Sequence, residues 1–351
     1  MKGKDINISG RKIGNGHPIF VIAEAGVNHN GSLKLAKKLI DAAKRAGADA
    51  IKFQAFITEE LVTENAPKAV YQKKNVPEKS QYEMLKALEL SETDIKALFA
   101  YCQKKKIIFL STPFDIKSAD FLFRIGVTAF KISSGDLTNL PFLEHIAKYK
   151  KPIILSTGMA TLQEVKEAVK KIYASGNRKL VLLHCTSNYP TEYKEVNLKA
   201  METLRKAFRT PVGYSDHTMG IEIAIAAAVL GASIIEKHIT LDKIMSGPDH
   251  LASIDPAELK ALVTSIKNVE TSLGSDQKHP VKSELKMKSI ARRSIVAAVD
   301  IPKRARLEPW MLTLKRPGTG IEPKYIKDII GKYTNRKIFK NNLLGWNEVC
   351  L

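Results

Sequence analysis

The sequence predicts an α/β fold in which a (β/α)₈ barrel is followed by a small β-rich domain. Eight short apolar runs alternate with helical patterns along the first three quarters of the chain, as expected for repeated βα units. The chain has 351 residues, enough for a barrel of about 250 residues and a second small domain. Polar residues follow the apolar runs, and the C-terminal ends of barrel strands meet at one face. The pattern therefore predicts the location of an active site.

The predicted strands are short and largely apolar, which suits parallel strands that are buried on both faces. They span residues 19–25, 50–56, 107–112, 129–134, 152–157, 180–186, 211–215 and 234–240. Helical periodicity is clear at residues 32–46, 92–104, 161–175 and 255–273. Residues suited to cap these helices at their N-termini are Ser32, Ser91, Thr161 and Asp255. Glycines placed to end helices are Gly47, Gly126, Gly176 and Gly231.

Composition and charge restrict the class of protein. The net charge is +20, and residues 281–351 carry sixteen Lys and Arg against six Asp and Glu. No basic motif interleaved with aromatic residues is present, so we expect no nucleic-acid partner. The charge is interpreted either as a lysine-rich surface or as a field that attracts anionic substrates. The three cysteines are widely spaced and predict neither a disulfide framework nor a thiolate zinc site.

Hydropathy indicates neither a membrane protein nor a secreted one. The longest apolar stretch, residues 221–230, is too short to cross a bilayer. Residues 1–11 are charged and lack a following apolar segment and cleavage site. We therefore expect a cytoplasmic protein with no membrane partner.

Changes of composition predict the domain limits. We expect a catalytic barrel over residues 1–280, a charged linker over residues 281–290 and a β-rich domain with Pro and Gly turns over residues 291–351. A long polar insertion, residues 57–80, follows the second strand and contains Tyr71. Because long loops at this face of a barrel often carry substrate contacts, the insertion is a candidate binding segment.

Two histidines follow neighbouring predicted strands. His217 lies in GYSDHT and His238 in EKHIT, so both imidazoles are expected at the same face of the barrel. Imidazole is a good ligand for Mn, Fe, Co or Zn, and two ligands leave positions open for substrate and water. The alternative is that they are hydrogen-bonding core residues. His29, His184 and His250 are weaker metal-ligand candidates.

Cations and hydroxyls follow other strands and predict an anion site. The residues are Lys52, Thr112, Lys131, Ser134, Ser156 and Ser215. Ammonium groups and hydroxyls can together bind a phosphorylated carboxylate. The alternative use of a strand-end lysine is a Schiff base in an aldolase, which requires a desolvated lysine with a lowered pKa. Neighbouring hydroxyls and a second lysine favour the anion site.

Two acidic residues are expected near this site. Glu24 lies in AEAGVNHNG and Asp249 lies in SGPDH. Each can orient a sugar or transfer a proton if it lies within hydrogen-bond reach of the reacting atom. Asp249 is also consistent with a solvated loop carboxylate.

Taken together, these motifs resemble one known family. AEAGVNHNG, KFQ, STPFD, KISSGD, LSTGM, LLHCTSNYP, GYSDHT, EKHIT and GPDH are similar, in order, to motifs of the N-acetylneuraminate synthase family, which includes legionaminic and pseudaminic acid synthases. The segment KRPGTGI resembles the antifreeze-like SAF domain, a β-clip fold that follows the barrel in this family. The resemblance covers nearly the whole chain. It implies a TIM barrel followed by a SAF domain, in a domain-swapped homodimer in which each SAF domain closes the partner's barrel.

The resemblance also implies a reaction. In the family, phosphoenolpyruvate condenses with the open-chain aldehyde of an N-acetylated amino sugar, water adds, and phosphate leaves by C–O cleavage. A divalent metal held by His217 and His238 is implied, with Mn²⁺ as the first choice and Mg²⁺ or Co²⁺ as alternatives. We expect N-acetylmannosamine as acceptor and N-acetylneuraminate as product. The alternative acceptor is 2,4-diacetamido-2,4,6-trideoxymannose, which gives N,N'-diacetyllegionaminate.

Roles follow for residues that match the family motifs. Phosphoenolpyruvate is expected at Lys52, Thr112, Lys131, Ser134, Ser156 and Ser215. The sugar is expected at Gln54, Asn188, Tyr189, Asp249 and Arg316, the last from the partner's SAF domain. Catalytic roles are expected for Glu24, Asp249, His217 and His238. One departure is Arg304, where the family usually has the glycine of a Lys-Gly turn. More distant alternatives are a pyruvate-dependent aldolase and a non-catalytic sugar-binding protein.

Overall fold

Eight parallel strands form the central sheet of the N-terminal unit. The computed structural model describes residues 5–69 and 80–350, so the predicted candidate Tyr71 lies outside the described residues. The strands are β3 (Phe20–Gly26), β4 (Ala50–Ala55), β5 (Ile108–Pro113), β6 (Phe130–Ile132), β7 (Ile153–Ser156), β8 (Leu180–Cys185), β9 (Val212–Asp216) and β10 (Ile234–His238). Their order, β5-β4-β3-β10-β9-β8-β7-β6, makes a nearly closed barrel. The predicted TIM-type fold is therefore confirmed.

Helices alternate with these strands and begin where the capping residues predict. They are α1 (Leu33–Ala46), α2 (Thr58–Leu61), α3 (Gln81–Leu88), α4 (Glu92–Lys105), α5 (Ile116–Ile125), α6 (Leu140–Lys148), α7 (Leu162–Ala174), α8 (Ala200–Phe208), α9 (Glu222–Val229) and α10 (Pro256–Leu273). The Ser32, Ser91, Thr161 and Asp255 side chains accept a backbone N–H in the first turn of α1, α4, α7 and α10. Gly47 and Gly126 end α1 and α5 in the left-handed conformation.

Two apolar layers hold the barrel together. The larger layer lies between the outward faces of the strands and the surrounding helices. It includes Phe53 of β4 and Leu39 of α1. The smaller layer fills the barrel interior and includes Phe20 and Ile154. A hairpin of β1 (Ile6–Ile8) and β2 (Arg11–Ile13) adds its buried isoleucines to this inner layer. Because these layers consist of apolar side chains, the polar side chains at the strand ends can form a site.

The C-terminal unit spans Ser275–Leu351 and has its own apolar core. It contains α11 (Lys282–Ala291), the antiparallel pair β11 (Ser294–Ala297) and β12 (Leu312–Lys315), and α12 (Ile326–Ile329). Helix α11 thus occupies most of the expected linker, residues 281–290. The domain limits at residues 280 and 290 stay predictions. Arg304 has φ of +60°, which explains why glycine suits this turn. None of the helices within residues 5–69 and 80–350 combines the length and the hydropathy that a membrane-spanning helix requires.

Candidate active site

A polar cavity of about 410 Å³ lies at the C-terminal ends of the barrel strands. Nearly all of the predicted catalytic and phosphoenolpyruvate-site residues line it, although they come from different strands. The lining residues that the sequence predicts are Glu24, Lys52, Gln54, Thr112, Lys131, Ser134, Ser156, Tyr189, Ser215, His217 and His238. Side chains that the sequence analysis did not single out also contribute, among them Gln81, Phe114, Met159, Cys185, Ser187 and Glu236. The fold therefore brings the predicted residues together.

Lys52 lies at the centre of a buried polar cluster. Its Nζ is 2.9 Å from Glu24 Oε1 and 3.9 Å from Glu236 Oε2, and it donates to Thr112 Oγ1 at 3.1 Å. All four residues are almost completely buried. Because carboxylates surround the ammonium, the pKa of Lys52 is raised even though burial alone acts to lower it. Lys52 is therefore a charged group inside the cavity.

Glu236 is a charged cavity residue that the sequence analysis missed. Its Oε1 lies 3.4 Å from Lys131 Nζ and accepts a hydrogen bond from Ser215 Oγ at 2.9 Å. Burial acts to raise the pKa of Glu236, but Lys131 and Lys52 outweigh burial and lower it. The signal was present, because strand side chains alternate and residue 236 must share the inward face of His238. With two lysines and two carboxylates, the cavity is less cationic than the sequence suggested.

Glu24 is poised to hold a proton near neutral pH. Burial raises its pKa to about 7, and the neighbouring Glu236 contributes to the rise while Lys52 opposes it. Its Oε2 is buried and has no hydrogen-bond partner. A carboxyl group whose pKa lies near the working pH suits general acid–base chemistry. Glu24 is thus the cavity carboxyl best suited to donate or accept a proton.

The two predicted histidines lie side by side. The ring centroids of His217 and His238 are 5.4 Å apart, and the Tyr189 ring packs 4.1 Å from His217 and 5.5 Å from His238. His217 Nδ1 lies 2.7 Å from the carbonyl of Thr186, whereas the buried Nδ1 of His238 has no hydrogen-bond partner. Burial lowers the pKa of His217 to about 4 and lowers that of His238 as well. Both rings are therefore neutral at neutral pH, the form that binds metals.

Asp249 is buried beside the histidines rather than solvated. Its Oδ2 lies 3.8 Å from His238 Nδ1, and burial raises its pKa to about 6. Its loop is held in place because Ser253 Oγ donates to the Asp249 carbonyl at 2.6 Å and Asn28 Nδ2 donates to Ser253 Oγ at 2.8 Å. The interpretation of Asp249 as a solvated loop acid is therefore wrong.

Small polar groups complete one wall of the cavity. Ser134 Oγ accepts the N–H of Gly158 at 2.9 Å and lies 3.2 Å from Cys185 Sγ. Ser156 Oγ is buried without a hydrogen-bond partner. Gln54 is half-buried at the cavity edge. The unpartnered Ser156 hydroxyl can donate to an anion without breaking an existing bond.

Two predicted sugar-side residues of the barrel, Asn188 and the buried Asp249, are not among the residues that line the cavity. Asn188 is exposed, and its Oδ1 accepts the N–H of Tyr189 at 3.1 Å. Arg316 is exposed in the C-terminal unit. Contacts of Asn188 and Arg316 with a sugar therefore stay predictions.

The weaker histidine candidates have structural partners instead. His184 Nε2 lies 2.6 Å from the Val196 carbonyl, and His250 lies 2.7 Å from Thr240 Oγ1 and 3.0 Å from Asn30 Oδ1. His29 accepts the N–H of Gly31 at 3.1 Å. Across residues 5–69 and 80–350, no group of three or more His, Cys, Asp or Glu side chains is arranged to hold a metal ion. A metal at His217 and His238 would therefore leave positions open to non-protein ligands.

Comparisons with known proteins agree with this architecture. The NeuB family model matches residues 39–278, and the SAF domain model matches residues 292–349. Together these matches cover both units. The predicted SAF domain at the C-terminus is therefore confirmed.

Related proteins are similar along nearly their whole length. The N,N'-diacetyllegionaminic acid synthases of Legionella pneumophila and Campylobacter jejuni are 51% and 48% identical to this chain, covering 99% and 93% of it and 99% and 98% of their own lengths. The solved N-acetylneuraminic acid (sialic acid) synthetase of Leptospira borgpetersenii is 39% identical, with a TM-score of 0.73, over 81% of this chain and 95% of its own. The resemblance to sialic-acid-type synthases is thus confirmed, and the chain belongs to the NeuB family of enzymes.

Proposed function

We propose that this enzyme condenses phosphoenolpyruvate with the open-chain aldehyde of an N-acetylated amino sugar, in a reaction that requires a divalent metal. The observation that carries the proposal is the grouping of two buried ammonium groups with several hydroxyls in one cavity. Phosphoenolpyruvate combines a phosphate and a carboxylate, and both groups are bound by ammonium and hydroxyl donors. The cavity volume of about 410 Å³ is within the range of small-molecule sites.

The cavity lysines serve this substrate in different ways. Lys52 carries a charge that is already supported by Glu24, whereas burial lowers the pKa of Lys131 despite the nearby Glu236. Binding of an anion beside Lys131 favours its charged form and so opposes the effect of burial. Ser156 adds its unpartnered hydroxyl. The two ammonium groups thus neutralise the substrate before its enol carbon approaches the aldehyde.

Glu24 is the proposed proton carrier. A bound trianion raises its pKa further, because like charge disfavours ionisation, and so keeps Glu24 protonated at pH 7. Carbon three of phosphoenolpyruvate forms the new C–C bond with the aldehyde carbon, and water then adds at carbon two. The C2–O bond of that adduct breaks and phosphate leaves. Glu24, with Asp249 beside the histidines, is positioned to supply and remove protons in these steps.

His217 and His238 would hold the metal, with Mn²⁺ as the first choice. Both are neutral, buried and adjacent, and the Thr186 carbonyl orients His217 through Nδ1, as is usual for metal-ligating histidines. When bound, the ion supplies Lewis-acid polarisation of the sugar aldehyde. Removal of metal with EDTA should abolish turnover, and Mn²⁺ should restore it.

The acceptor that we favour is 2,4-diacetamido-2,4,6-trideoxymannose, with N,N'-diacetyllegionaminate as the product. Relatives named for that product are 51% and 48% identical to the chain, whereas the sialic acid synthetase structure is 39% identical. N-acetylmannosamine, the acceptor that the sequence analysis expects, is the second candidate. Both sugars are therefore compared in the same assay at equal concentrations, with kcat/KM as the measure of preference.

A domain-swapped homodimer is part of the same proposal. It is supported by α11, which exposes Leu285, Met287 and Ile290 to solvent although they are apolar. Apolar groups exposed on one helix are stabilised when another chain covers them. Arg316 of the partner would then reach the N-acyl group, so Arg316→Ala should raise the KM for the sugar and leave phosphoenolpyruvate binding unchanged. A cytoplasmic location stays a prediction.

The experiment that tests the reaction follows the bridging oxygen of phosphoenolpyruvate. With ¹⁸O at that position, C–O cleavage places the label in the released phosphate, which mass spectrometry detects. Unlabelled phosphate would contradict the proposed cleavage. A pyruvate-dependent aldolase that uses Lys131 as a Schiff base would release no phosphate and would be trapped by borohydride in the presence of pyruvate.

A further inference from the structure

A fully buried ion pair lies outside the cavity, on the two strands that carry the histidines. Asp216 Oδ2 is 2.7 Å from Lys237 Nζ, and both side chains are 0% exposed. The two residues lie directly opposite each other in the register of β9 and β10. Neither lines the cavity, because strand side chains alternate and their neighbours Ser215 and Glu236 face inward. The ion pair therefore has no direct contact with the cavity.

Both members of the pair converge on Thr218, the residue after His217. Asp216 Oδ1 accepts the backbone N–H of Thr218 at 2.9 Å and its Oγ1 hydroxyl at 2.8 Å. Lys237 Nζ donates to the Thr218 carbonyl at 2.6 Å. The phenol of Tyr214 also donates to Asp216 Oδ1, at 3.2 Å. The network thus holds both sequence neighbours of His217, namely Asp216 and Thr218.

The network lies at the point where the pairing between β9 and β10 ends. The last register pair of β9 with β10 is Asp216 with Lys237, so His217 lies one residue beyond the paired part of its strand. His238, by contrast, is still paired, with Glu24 of β3. The position of His217 relative to His238 therefore depends on side-chain contacts as well as on the sheet.

Stability alone does not explain this ion pair. Apolar residues of similar size commonly stabilise a protein core as well as a buried ion pair does, because burying two charges is costly. A buried pair with all its polar atoms bonded does, however, impose one geometry on the elements that it joins. Here those elements are the segments that carry the two imidazoles.

We propose that the Asp216–Lys237 ion pair is a positioning device that fixes His217 relative to His238 at the spacing needed to hold a divalent cation. The inference rests on the proposed metal-dependent function. It identifies Asp216, Lys237 and Thr218 as positioning residues that contact neither substrate nor metal. Their removal should weaken metal binding while leaving the lysines and hydroxyls of the cavity unaltered.

The test titrates Mn²⁺, by calorimetry, into full-length protein that has been stripped of metal. The main variant is Asp216→Asn with Lys237→Met, which removes both charges together so that neither is left unpaired. We expect the Kd for Mn²⁺ to rise by about 10-fold, the lower end of the effect of losing a group that hydrogen-bonds to a metal ligand, because the pair orients His217 through Thr218 rather than through the His217 ring. Phosphoenolpyruvate binding without metal should change less than threefold, because its cavity groups are intact. A purely structural role would weaken both ligands or neither.

Two further variants keep the test decisive. Thr218→Val keeps both charges and removes a single hydrogen bond, so it should fold and weaken Mn²⁺ binding by about threefold. The matched control is Lys243→Met with Glu258→Gln, which removes a half-exposed ion pair between the loop after β10 and helix α10. The control should bind Mn²⁺ as tightly as the unaltered protein.

The outcomes separate this inference from the proposed function. If the unaltered protein binds Mn²⁺ and the charge-free variant binds it within twofold, the positioning role is wrong and the metal site stands. Equal losses of Mn²⁺ and phosphoenolpyruvate binding would also overturn it. If the unaltered protein shows no saturable Mn²⁺ binding that His217→Ala removes, the metal-dependent function fails and the positioning role fails with it.

Discussion

Replacing Lys52 by Met should weaken phosphoenolpyruvate binding strongly. The substitution keeps an unbranched side chain that is one atom shorter, and it removes the ammonium that lies 2.9 Å from Glu24 and 3.1 Å from Thr112. At about 4 Å and an effective dielectric constant of about 20, one ammonium contributes about 4 kcal/mol to each unit of negative charge that it faces. That energy corresponds to a factor of about 1,000 in affinity.

Part of this loss is offset within the protein. Lys52 lowers the pKa of Glu24, so without Lys52 the Glu24 pKa rises above about 7 and the carboxyl becomes neutral at pH 7. In the unaltered protein Glu24 is partly ionised at pH 7 and takes up a proton when the anion binds, whereas in the variant it is already protonated. We therefore expect the Kd of phosphoenolpyruvate to rise by about 100-fold or more. The neutral carboxyl also avoids an unpaired buried charge, so the variant should remain folded.

The assay is calorimetric titration of phosphoenolpyruvate at pH 7, with phosphate release measured in parallel. The matched control is Lys171→Met, which removes a lysine that pairs with Glu144 at 2.7 Å on the outer surface of the barrel. The control should bind phosphoenolpyruvate within twofold of the unaltered protein. A folded Lys52→Met variant whose Kd lies within threefold of the unaltered protein would refute the assignment of this cavity to the anion.

Other changes should act separately on chemistry and on stability. His217→Ala should reduce kcat/KM by at least about 100-fold and abolish Mn²⁺ binding, with little change in Tm; unchanged turnover would exclude His217 from the metal site. Gly213→Ala should lower the free energy of unfolding by about 1–3 kcal/mol in urea titrations, because its Cβ would lie 2.5 Å from the Ile234 carbonyl; a change under 0.5 kcal/mol would contradict this. The pKa of Glu24 is raised by folding, so it stabilises the protein below pH 4.5 and loses that contribution as pH rises towards 7. Glu24→Gln should therefore flatten the fall in stability between pH 4.5 and 7, and an unchanged pH profile would be inconsistent with the raised pKa.

The barrel was predictable because its signals are local. Continuous apolar runs predicted both ends of every barrel strand to within two residues, as in β8 (Leu180–Cys185) against the predicted 180–186. Capping residues such as Thr161 and Asp255 predicted helix starts directly. The segment 281–290 was harder to predict, because α11 carries no buried residue and its few apolar side chains do not form the continuous buried face that reveals a helix.

The candidate site was predictable in its members and less so in its electrostatics. Strand ends identified Lys52 and Lys131, but their charge balance depends on Glu236. Alternation along β10 indicates that Glu236 faces inward, whereas its distances from the two lysines come only from the structure. The burial of Asp249 was also hidden from the sequence, because it depends on a loop held by Asn28 from a distant part of the chain. Long-range packing of this kind has no signature in a local pattern.

The most direct test of the central claim is phosphate release by the Mn²⁺-loaded enzyme with phosphoenolpyruvate and each sugar in turn, with the product identified by mass. We expect phosphate release that depends on the sugar, with 2,4-diacetamido-2,4,6-trideoxymannose giving the higher kcat/KM. The product mass should equal the mass of that sugar plus the mass of pyruvic acid. Preference for N-acetylmannosamine would correct the acceptor and keep the reaction. No release with either sugar, from folded protein that binds Mn²⁺ and phosphoenolpyruvate, would contradict the proposed condensation.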